Sequence, residues 1–231
     1  MVELKNVSKT YYLNQQEIKA VEDINLNISK GEYVSIVGHS GCGKTTLLSL
    51  IGGLTKPDNG VVNINGINIW SIPDDQLSEF RACTVGFIFQ FASLIPTLNV
   101  IENAILPVIF CIRDGKSMNF KKNNRREIIS YAEELLENVG LSERLYAYPS
   151  QLSGGQQRRV AIARAFINHP EIILADEPTG DLDEETEIEM MNLFKKINKE
   201  KGITFIIVTH NLSFASNADR VLRMSGGRII N

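Results

Sequence analysis

Hydrophobic and polar residues follow strand-like patterns over the first part of the chain. Between residues 20 and 28, Ile24, Leu26 and Ile28 alternate with polar residues, as expected for a strand with one buried face. Residues 33–37 are mostly apolar, which is typical of a strand buried on both faces. The same criteria predict a strand over residues 2–7, a hairpin over residues 61–69 with its bend at Asn65-Gly66, and a buried strand over residues 85–89.

Helical spacing replaces this pattern in the middle of the chain. Asn99 and Glu102 have the N-cap and N3 spacing of a capping box, which predicts that a helix begins there. Residues 127–139 place apolar residues on one helical face, and Gly140 is positioned to end that helix. Shorter helices are predicted over residues 45–51 and 74–82. We interpret roughly residues 91–160 as a helical insertion.

The last part of the chain returns to alternating strands and helices. Residues 172–175 and 204–208 are short apolar runs that predict buried strands, and the amphipathic run 184–201 between them predicts a helix. A short helix over residues 212–218 and a closing hairpin over residues 221–224 and 228–230 are predicted after them. Apolar strands that alternate with helices predict an α/β fold, in which helices cover both faces of a mainly parallel sheet.

Composition and charge exclude several classes of function. The chain has 231 residues, of which 43% are hydrophobic, enough for one large domain with a sizeable core. Its net charge is −3, whereas nucleic-acid-binding domains are strongly basic, so we expect no nucleic-acid partner. No apolar run is long enough to span a bilayer, and residues 1–9 do not resemble a signal peptide, which favours a cytoplasmic location. Cys42, Cys83 and Cys111 are widely spaced and match no metal or redox motif, which fits a reducing compartment.

A glycine-rich segment directly follows the predicted strand at residues 33–37. It reads Gly38-His39-Ser40-Gly41-Cys42-Gly43-Lys44-Thr45 and matches the pattern G-x-x-x-x-G-K-[ST] between a strand and a helix. In such a loop, backbone N–H groups curve around a phosphate, and the following helix directs its positive end at the anion. Lys44 is positioned to reach the outer phosphates and the Thr45 hydroxyl to ligate Mg²⁺. The alternative, a glycine-rich turn without a ligand, does not account for the full pattern.

Two carboxylates end a predicted strand. Asp176 and Glu177 directly follow the apolar run at residues 172–175, so we expect them at the sheet edge where ligands bind in such folds. Asp176 could hold the Mg²⁺ shell, and Glu177 could polarise a water molecule. A charged strand end without chemistry is the alternative, and the nearby phosphate loop makes the catalytic interpretation the stronger one.

A second anion-binding motif occurs at Leu152-Ser153-Gly154-Gly155-Gln156. The paired glycines leave backbone N–H groups available, and an arginine-rich helix with Arg158, Arg159 and Arg164 begins directly after them. This arrangement predicts a helix N-terminus that faces an anion. Taken alone, the same residues also fit an ordinary Ser-Gly-Gly linker before a helix.

In combination, these motifs resemble those of the ATP-binding cassette (ABC) family. The family's features occur in order: the phosphate loop, Gln90 after a strand, the signature at residues 152–156, the Asp176–Glu177 pair, and His210 after a strand. The resemblance covers nearly the whole chain. It implies a P-loop NTPase (RecA-like) core with an antiparallel β subdomain over residues 1–90 and 161–231. It also implies a helical subdomain over residues 91–160 that carries the signature.

The resemblance further implies a nucleotide site shared by two copies of the chain. In ABC proteins two cassettes pair head to tail, and each ATP lies between the phosphate loop of one and the signature of the other. Asp183 would then lie in the loop that crosses the dimer interface. The signature residues that would act on the partner's ATP are Ser153, Gly154, Gly155 and Gln156.

Individual roles in the site also follow from the resemblance. It implies Lys44, Glu177 and His210 as catalytic residues, with Glu177 as the general base and His210 as a contact to the γ-phosphate. It implies Gln90 as a Mg²⁺ ligand, together with Thr45 and Asp176, that also senses the membrane partner. Tyr11 matches the aromatic residue that stacks on adenine, although Tyr12 leaves the register open and an exposed loop tyrosine is the alternative. The other nucleotide-binding residues would be Gly38, His39, Ser40, Gly41, Cys42, Gly43, Lys44, Thr45 and Thr46.

The chain departs from the commonest family pattern at a few positions. His39 stands where proline is frequent, and Cys42 stands where serine or alanine is frequent. Neither change alters the backbone cradle, but a thiol among free N–H groups beside Lys44 should be reactive. Gln90 is followed by Phe91-Ala92 and not by Gln-Phe, which could alter the contact with a partner.

Further segments are similar to ATPases that work with macrolide-export, lipoprotein-release and cell-division permeases. These segments are residues 6–11, 86–90, 94–96, 102–107 and 148–151. The resemblance implies an ATP- and Mg²⁺-dependent subunit that dimerises on ATP and drives a separate membrane permease from the inner face of the membrane. The permease would serve export, lipoprotein release or mechanotransmission, which includes the mechanical regulation of cell-wall enzymes. The alternative is a soluble ABC ATPase, such as an iron–sulfur assembly component. The basic loop at residues 113–126 could contact anionic lipid headgroups or an acidic partner, or form a solvated face.

Overall fold

The computed structural model describes residues 1–111, 125–180, 182–215 and 217–230. They form two compact units: the first comprises Met1–Leu77, Leu174–Glu177 and Lys195–Asn231, and the second comprises Ser78–Ile173 and Pro178–Phe194. The division into a core and a helical subdomain at residues 91–160 stays a prediction. Most of the basic loop, including Arg113, Lys116, Lys121 and Lys122, lies outside the described residues.

An antiparallel sheet forms the first part of the first unit. Its strands are β1 (Val2–Leu13), β2 (Gln16–Ile28), β4 (Asn59–Ile64) and β5 (Ile67–Asn68), in the order β2-β1-β4-β5. Strands β1 and β2 are longer than predicted, because they continue as a hairpin to the tight turn at Asn14 and Gln15, whose φ angles are 48° and 67°. The hairpin arms are mostly exposed on both faces, so hydrophobic alternation could not reveal them.

A second sheet of the first unit contains the buried strands. They are β3 (Tyr33–Val37), β7 (Ile172–Asp176) and β8 (Thr204–Thr209), followed by the closing hairpin β9 (Arg220–Ser225) and β10 (Arg228–Ile229). These five strands of a six-stranded sheet lie in the order β10-β9-β3-β8-β7, and β7 begins in the second unit. Every residue of β3, β7 and β8 is buried, as their continuous apolar runs predict. Strand β3 pairs in parallel with both β8 and β9. The predicted α/β fold is confirmed. Helices α1 (Lys44–Ile51) and α7 (Leu212–Ala215) belong to this unit, and α7 is shorter than predicted.

The second unit is mostly helical. Its elements are α2 (Asp74–Thr84), β6 (Val85–Ile88), α3 (Val100–Ile105), α4 (Arg125–Asn138), α5 (Gly154–Phe166) and α6 (Glu184–Lys201), with α2 beginning and α6 ending in the first unit. Single 3₁₀ turns occupy Leu106–Phe110, Ser142–Arg144 and Pro149–Gln151. The predicted capping box at α3 is confirmed. Asn99 Oδ1 accepts from the Glu102 N–H at 3.0 Å, and Glu102 Oε2 accepts from the Asn99 N–H at 2.9 Å.

Two of the three cysteines form a disulfide bond in the second unit. Cys83, near the end of α2, is bonded to Cys111, and the Cα atoms are 5.4 Å apart. This bond disagrees with the expectation of a reducing compartment, where disulfides are rare. The two residues are separated by 28 positions, and only the folded chain brings them together. Cys42 is free and partly exposed.

Among the described residues, no helix combines the length and the apolar character needed to cross a bilayer.

Candidate active site

The glycine-rich loop lies between β3 and α1 in the first unit. Gly41 and Gly43 have φ angles of 77° and 107°, which residues with a side chain rarely adopt. A β carbon at Gly43 would lie 1.9 Å from the carbonyl oxygen of Ala20, and one at Gly38 would lie 2.3 Å from that of Met224. The surrounding main chain therefore requires glycine at positions 38 and 43. At Gly41 a β carbon would meet no atom within 4 Å, so its backbone conformation alone favours glycine.

Lys44 and Thr45 begin helix α1 directly after the loop. Lys44 is buried, and its Nζ donates hydrogen bonds to the carbonyl oxygens of Gly38 at 2.7 Å and His39 at 3.2 Å. The ammonium group is thus held against the loop that precedes it. The Thr45 hydroxyl donates to Asp176 Oδ2 at 2.7 Å. This bond places a hydroxyl and a carboxylate oxygen side by side at the end of the loop.

Glu177 is held in place by the segment that follows β8. Its N–H donates to the Val208 carbonyl at 2.9 Å. Oε1 accepts from the His210 N–H at 2.9 Å and lies 2.8 Å from His210 Nδ1, and Oε2 accepts from the Thr209 hydroxyl at 2.8 Å. A carboxylate has about four acceptor positions, so these contacts leave room on Oε2 for one further donor, such as a water molecule.

The backbone at Glu177 is strained. Its φ angle is 44°, a left-handed conformation that costs a non-glycine residue about 1–3 kcal/mol and is concentrated at functional sites. The strained backbone and the contacts to the carboxylate fix the direction of the side chain, which is 16% exposed. The His210 side chain, in contrast, is 74% exposed and is free to contact a ligand on its outer side.

Thr209 is a site residue that the sequence analysis missed. Besides donating to Glu177, its hydroxyl accepts from the Asn211 N–H at 3.0 Å, so it ties the carboxylate to the turn after β8. Its position as the last residue of an apolar strand, directly before His210, was the available signal. A threonine at a strand end is too common to be singled out on that basis.

The predicted site residues fall into both units. Lys44, Thr45, Asp176, Glu177 and His210 come together in the first unit, through the contacts described above. The predicted residues of the second unit are Gln90, Ser153, Gly154, Gly155, Gln156 and Asp183. The site in the first unit therefore contains the loop, the two carboxylates and the histidine.

The signature residues form the N-terminus of helix α5. Ser153 is the N-cap: its Oγ accepts from the Gln156 N–H at 3.2 Å, and Gln156 Oε1 accepts from the Ser153 N–H at 3.0 Å. This capping box leaves the N–H groups of Gly154 and Gly155 at the positive end of the helix. Asp183 lies directly before α6, and its carboxylate accepts hydrogen bonds from the backbone N–H and the hydroxyl of Thr186. These hydrogen bonds lower the pKa of Asp183.

The predicted adenine platform lies on the β1–β2 hairpin of the first unit. Tyr11 is 41% exposed and Tyr12 is 75% exposed, and as neighbours in a strand they point to opposite faces. Tyr11 is paired with Ile18 across the hairpin, and Lys9 Nζ lies 5.7 Å from the centroid of its ring. Tyr12 is paired with Glu17. An aromatic ring with an apolar cross-strand neighbour is the better surface for a nucleobase, so the choice of Tyr11 stays our prediction.

The fold and this site together define a P-loop NTPase. The residues that match the family model described as "ABC transporter" are 21–180, more than half of the chain. The protein belongs to the ABC transporter family.

Relatives and solved structures agree with this assignment. The chain is 45% identical to an ABC transporter ATP-binding protein of Methanocaldococcus jannaschii, MJ0796, over 99% of this chain and 95% of that protein. It is 40% identical to the lipoprotein-releasing system ATP-binding protein LolD of Syntrophus aciditrophicus, over 100% of this chain and 99% of LolD. It is 44% identical to the macrolide export ATP-binding/permease protein MacB of Rhodopirellula baltica, but spans only 32% of that protein. A dimeric structure of the MJ0796 cassette superimposes with a TM-score of 0.92 at 44% identity, covering 100% of this chain and 97% of that one.

Proposed function

We propose that this chain is the ATP-hydrolysing subunit of an ABC transporter and that its reaction takes place between the phosphate loop and Glu177. The observation that supports this proposal best is the cluster of the first unit, where the Lys44 ammonium, the Thr45–Asp176 pair and the Glu177–His210 pair belong to one compact unit. A related dimeric cassette, MJ0796, has been observed in a post-hydrolysis state with ADP and phosphate, at 44% identity and a TM-score of 0.91.

Each residue of the cluster has a definite task in this reaction. Backbone N–H groups of the loop and the Lys44 ammonium bind the phosphates of ATP. Glu177 takes a proton from a water molecule, the water oxygen forms a bond to the γ-phosphorus, and the bond to the β-phosphate oxygen breaks to release ADP and phosphate. His210 keeps the Glu177 carboxylate oriented through Nδ1, and its other face contacts the γ-phosphate.

The chemistry of the donor set fits Mg²⁺. Mg²⁺ prefers oxygen ligands and is often bound by one or two protein groups together with substrate phosphates and water. The adjacent hydroxyl of Thr45 and carboxylate of Asp176 are such groups, and we propose that Gln90 adds a further oxygen. Among the described residues, no group of three or more His, Cys, Asp or Glu side chains is arranged to hold a metal ion. When bound, Mg²⁺ neutralises charge on the phosphates.

We further propose that two copies of the chain complete each site. Lys44, Thr45, Asp176, Glu177 and His210 would act on the ATP bound to their own copy. The helix N-terminus at Ser153 would act on the ATP of the other copy, because its free N–H groups and positive end suit a phosphate. A dimeric structure of the related MJ0796 cassette supports this arrangement.

A membrane permease is the proposed partner of this dimer. The relative MacB carries its ATP-binding and permease functions in one protein, of which this chain spans 32%. LolD, which matches the chain over its full length, is named as the ATP-binding protein of a lipoprotein-releasing system. We therefore place the chain on the inner face of the cell membrane, where ATP binding would drive a conformational change in a separate permease.

Co-purification tests the proposed partner. An affinity-tagged chain, isolated from detergent-solubilised membranes of its own source, should bring down an integral membrane protein in a fixed ratio. The interaction should survive in the Glu177→Gln variant with ATP. If the tagged chain is recovered only with soluble proteins and without a membrane protein, the result would instead favour a non-transport ABC ATPase such as an iron–sulfur assembly component.

A thiol reagent should inactivate the phosphate loop through Cys42. Cys42 is partly exposed and free, whereas Cys83 and Cys111 are bonded to each other. Its main chain is part of the loop, since its N–H donates to the His39 carbonyl at 3.3 Å and its carbonyl accepts from Gly227 at 3.0 Å. We expect N-ethylmaleimide to label Cys42 first and block ATP binding, and MgATP to protect it.

The Cys42→Ser variant is the matched control for this experiment. It should bind ATP and resist the reagent, because serine keeps the size and polarity of the side chain without the thiolate nucleophile. Mass spectrometry that finds Cys83 or Cys111 labelled first, or Cys42 labelled with ATP binding intact, would contradict the prediction.

A further inference from the structure

Arg158 of helix α5 holds the main chain at Gln90. Its two terminal guanidinium nitrogens donate hydrogen bonds to the carbonyl oxygens of Phe89 and Gln90. The side chain is 2% exposed, so this positive charge is almost fully removed from water. Burial of a charge is costly unless polar groups replace its hydration, and here carbonyl oxygens of the segment do so.

Arg164 makes the same kind of contact six residues further along the helix. It donates to the carbonyl oxygens of Ala92 at 2.7 Å and Ser93 at 3.0 Å. Each arginine therefore contacts two consecutive carbonyl groups of the segment 89–93 with its own guanidinium group. All of these residues belong to the second unit.

The side chains of the segment contribute little to its position. Phe89 is 40% exposed and Phe91 is 74% exposed, and the side chain of Gln90 is exposed as well. Burial of apolar side chains therefore does not fix the course of this part of the chain. The Phe89 ring stacks on Phe87 and the Ser93 hydroxyl donates to the Phe91 carbonyl, but both contacts are local in the sequence. The arginine contacts to its carbonyl oxygens tie the segment to a distant helix.

Arg158 also connects this segment to the signature. It lies in the second turn of α5, whose N-cap is Ser153 and whose first turn contains Gly154, Gly155 and Gln156. We propose that Arg158 is a positioning residue that fixes the main chain at Gln90 to the signature helix, so that Gln90 and the signature move as one body. The inference rests on the proposed function, in which Gln90 supports Mg²⁺ and the signature contacts the second ATP.

A guanidinium is needed for this role. Arginine presents its donors in a rigid, planar fork, whereas lysine is a point charge on a flexible stem. Arg158→Lys should therefore keep the charge but lose the simultaneous contact to both carbonyl groups. Arg158→Met should remove the donors, keep most of the volume and leave two carbonyl oxygens without this partner.

The test compares Arg158→Met with Gln90→Ala in the full-length chain. The readout is binding of a fluorescent ATP analogue while Mg²⁺ is titrated, with phosphate release as a second measurement. Loss of groups that orient a metal ligand typically lowers metal affinity by about 10- to 100-fold. We expect both single variants to raise the half-saturating Mg²⁺ concentration about 10-fold. The double variant should match Gln90→Ala, and Arg158→Lys should lie between Arg158→Met and the parent chain.

Asn168→Leu is the matched control. Asn168 is 6% exposed and its Nδ2 donates to the carbonyl oxygens of Ala82 at 2.9 Å and Pro107 at 3.0 Å, so it also fixes two backbone carbonyl groups of the second unit. The control should lower the Tm without changing the Mg²⁺ titration. If Arg158→Met does not fold, the comparison is made with Arg158→Lys.

Two outcomes separate this inference from the proposed function. If Gln90→Ala leaves the Mg²⁺ titration unchanged, the metal role of Gln90 fails, and the role of Arg158 fails with it. If Gln90→Ala raises the Mg²⁺ requirement but the Arg158 variants do not, or the effects of the two residues add in the double variant, only the inference about Arg158 is overturned.

Discussion

Replacing Glu177 by glutamine should lower the rate of ATP hydrolysis by about 10²–10⁴, the range that a general base contributes. The amide cannot take a proton from water at neutral pH. Its oxygen can still accept from the His210 N–H and Nδ1, and its NH₂ group can face the Thr209 hydroxyl. The site should therefore keep its geometry and bind ATP normally. Phosphate release at saturating ATP, together with a binding titration, measures the two effects separately.

Glu22→Gln is the control for this substitution. Glu22 is a carboxylate of the same unit, and its side chain pairs with Arg228 at 3.0 Å and with Lys19 at 3.6 Å. The change in charge is identical, and we expect hydrolysis to be unaffected. A Glu177→Gln variant with unchanged turnover would show that another group acts as the base.

Replacing Lys44 by alanine should remove high-affinity nucleotide binding. The ammonium group is buried at the loop, where two carbonyl oxygens of the loop hold it in place. A hydrogen bond to a charged group contributes about 1.5–3 kcal/mol, so loss of two such bonds to phosphate should raise the Kd about 10²-fold or more. Isothermal titration with ATP measures this effect directly.

Lys56→Ala provides the same change in charge at an exposed position after α1. It should bind ATP like the parent chain. The Lys44→Ala variant should also keep its Tm within a few degrees, since the loop loses only contacts to its own carbonyl groups. High-affinity ATP binding by a folded Lys44→Ala variant would remove Lys44 from the proposed site.

The sequence predicts the elements whose contacts are local or whose burial is continuous. Strands β3, β7 and β8 are apolar throughout because both of their faces are buried, and their boundaries agree with the structure within one residue. The helix start at Asn99 follows from residues three positions apart. The Asp176–Glu177 pair could be assigned to a ligand site because it ends an apolar run that predicts a strand, whereas His210 was assigned through the resemblance to ABC proteins. The structure has these residues at the ends of β7 and β8, which are neighbours in the sheet.

The features that the sequence does not predict depend on contacts between distant segments. Arg158 is 68 residues from Gln90 along the chain, and Cys83 is 28 residues from Cys111. In the sequence alone, Arg158 is one of several arginines in a predicted helix, and the spacing of the cysteines matches no motif. Thr209 is 32 residues from Glu177, and nothing in its local sequence shows that its hydroxyl holds the carboxylate.

The proposal that two copies share each ATP is tested most directly by the mass of the Glu177→Gln variant in solution. Sedimentation velocity with ATP and Mg²⁺ should give a species of twice the 25.8 kDa chain mass, because bound ATP persists and bridges the loop of one copy and the signature of the other. With ADP the variant should sediment as a single chain. A variant that remains at 25.8 kDa while ATP is demonstrably bound would contradict the shared site.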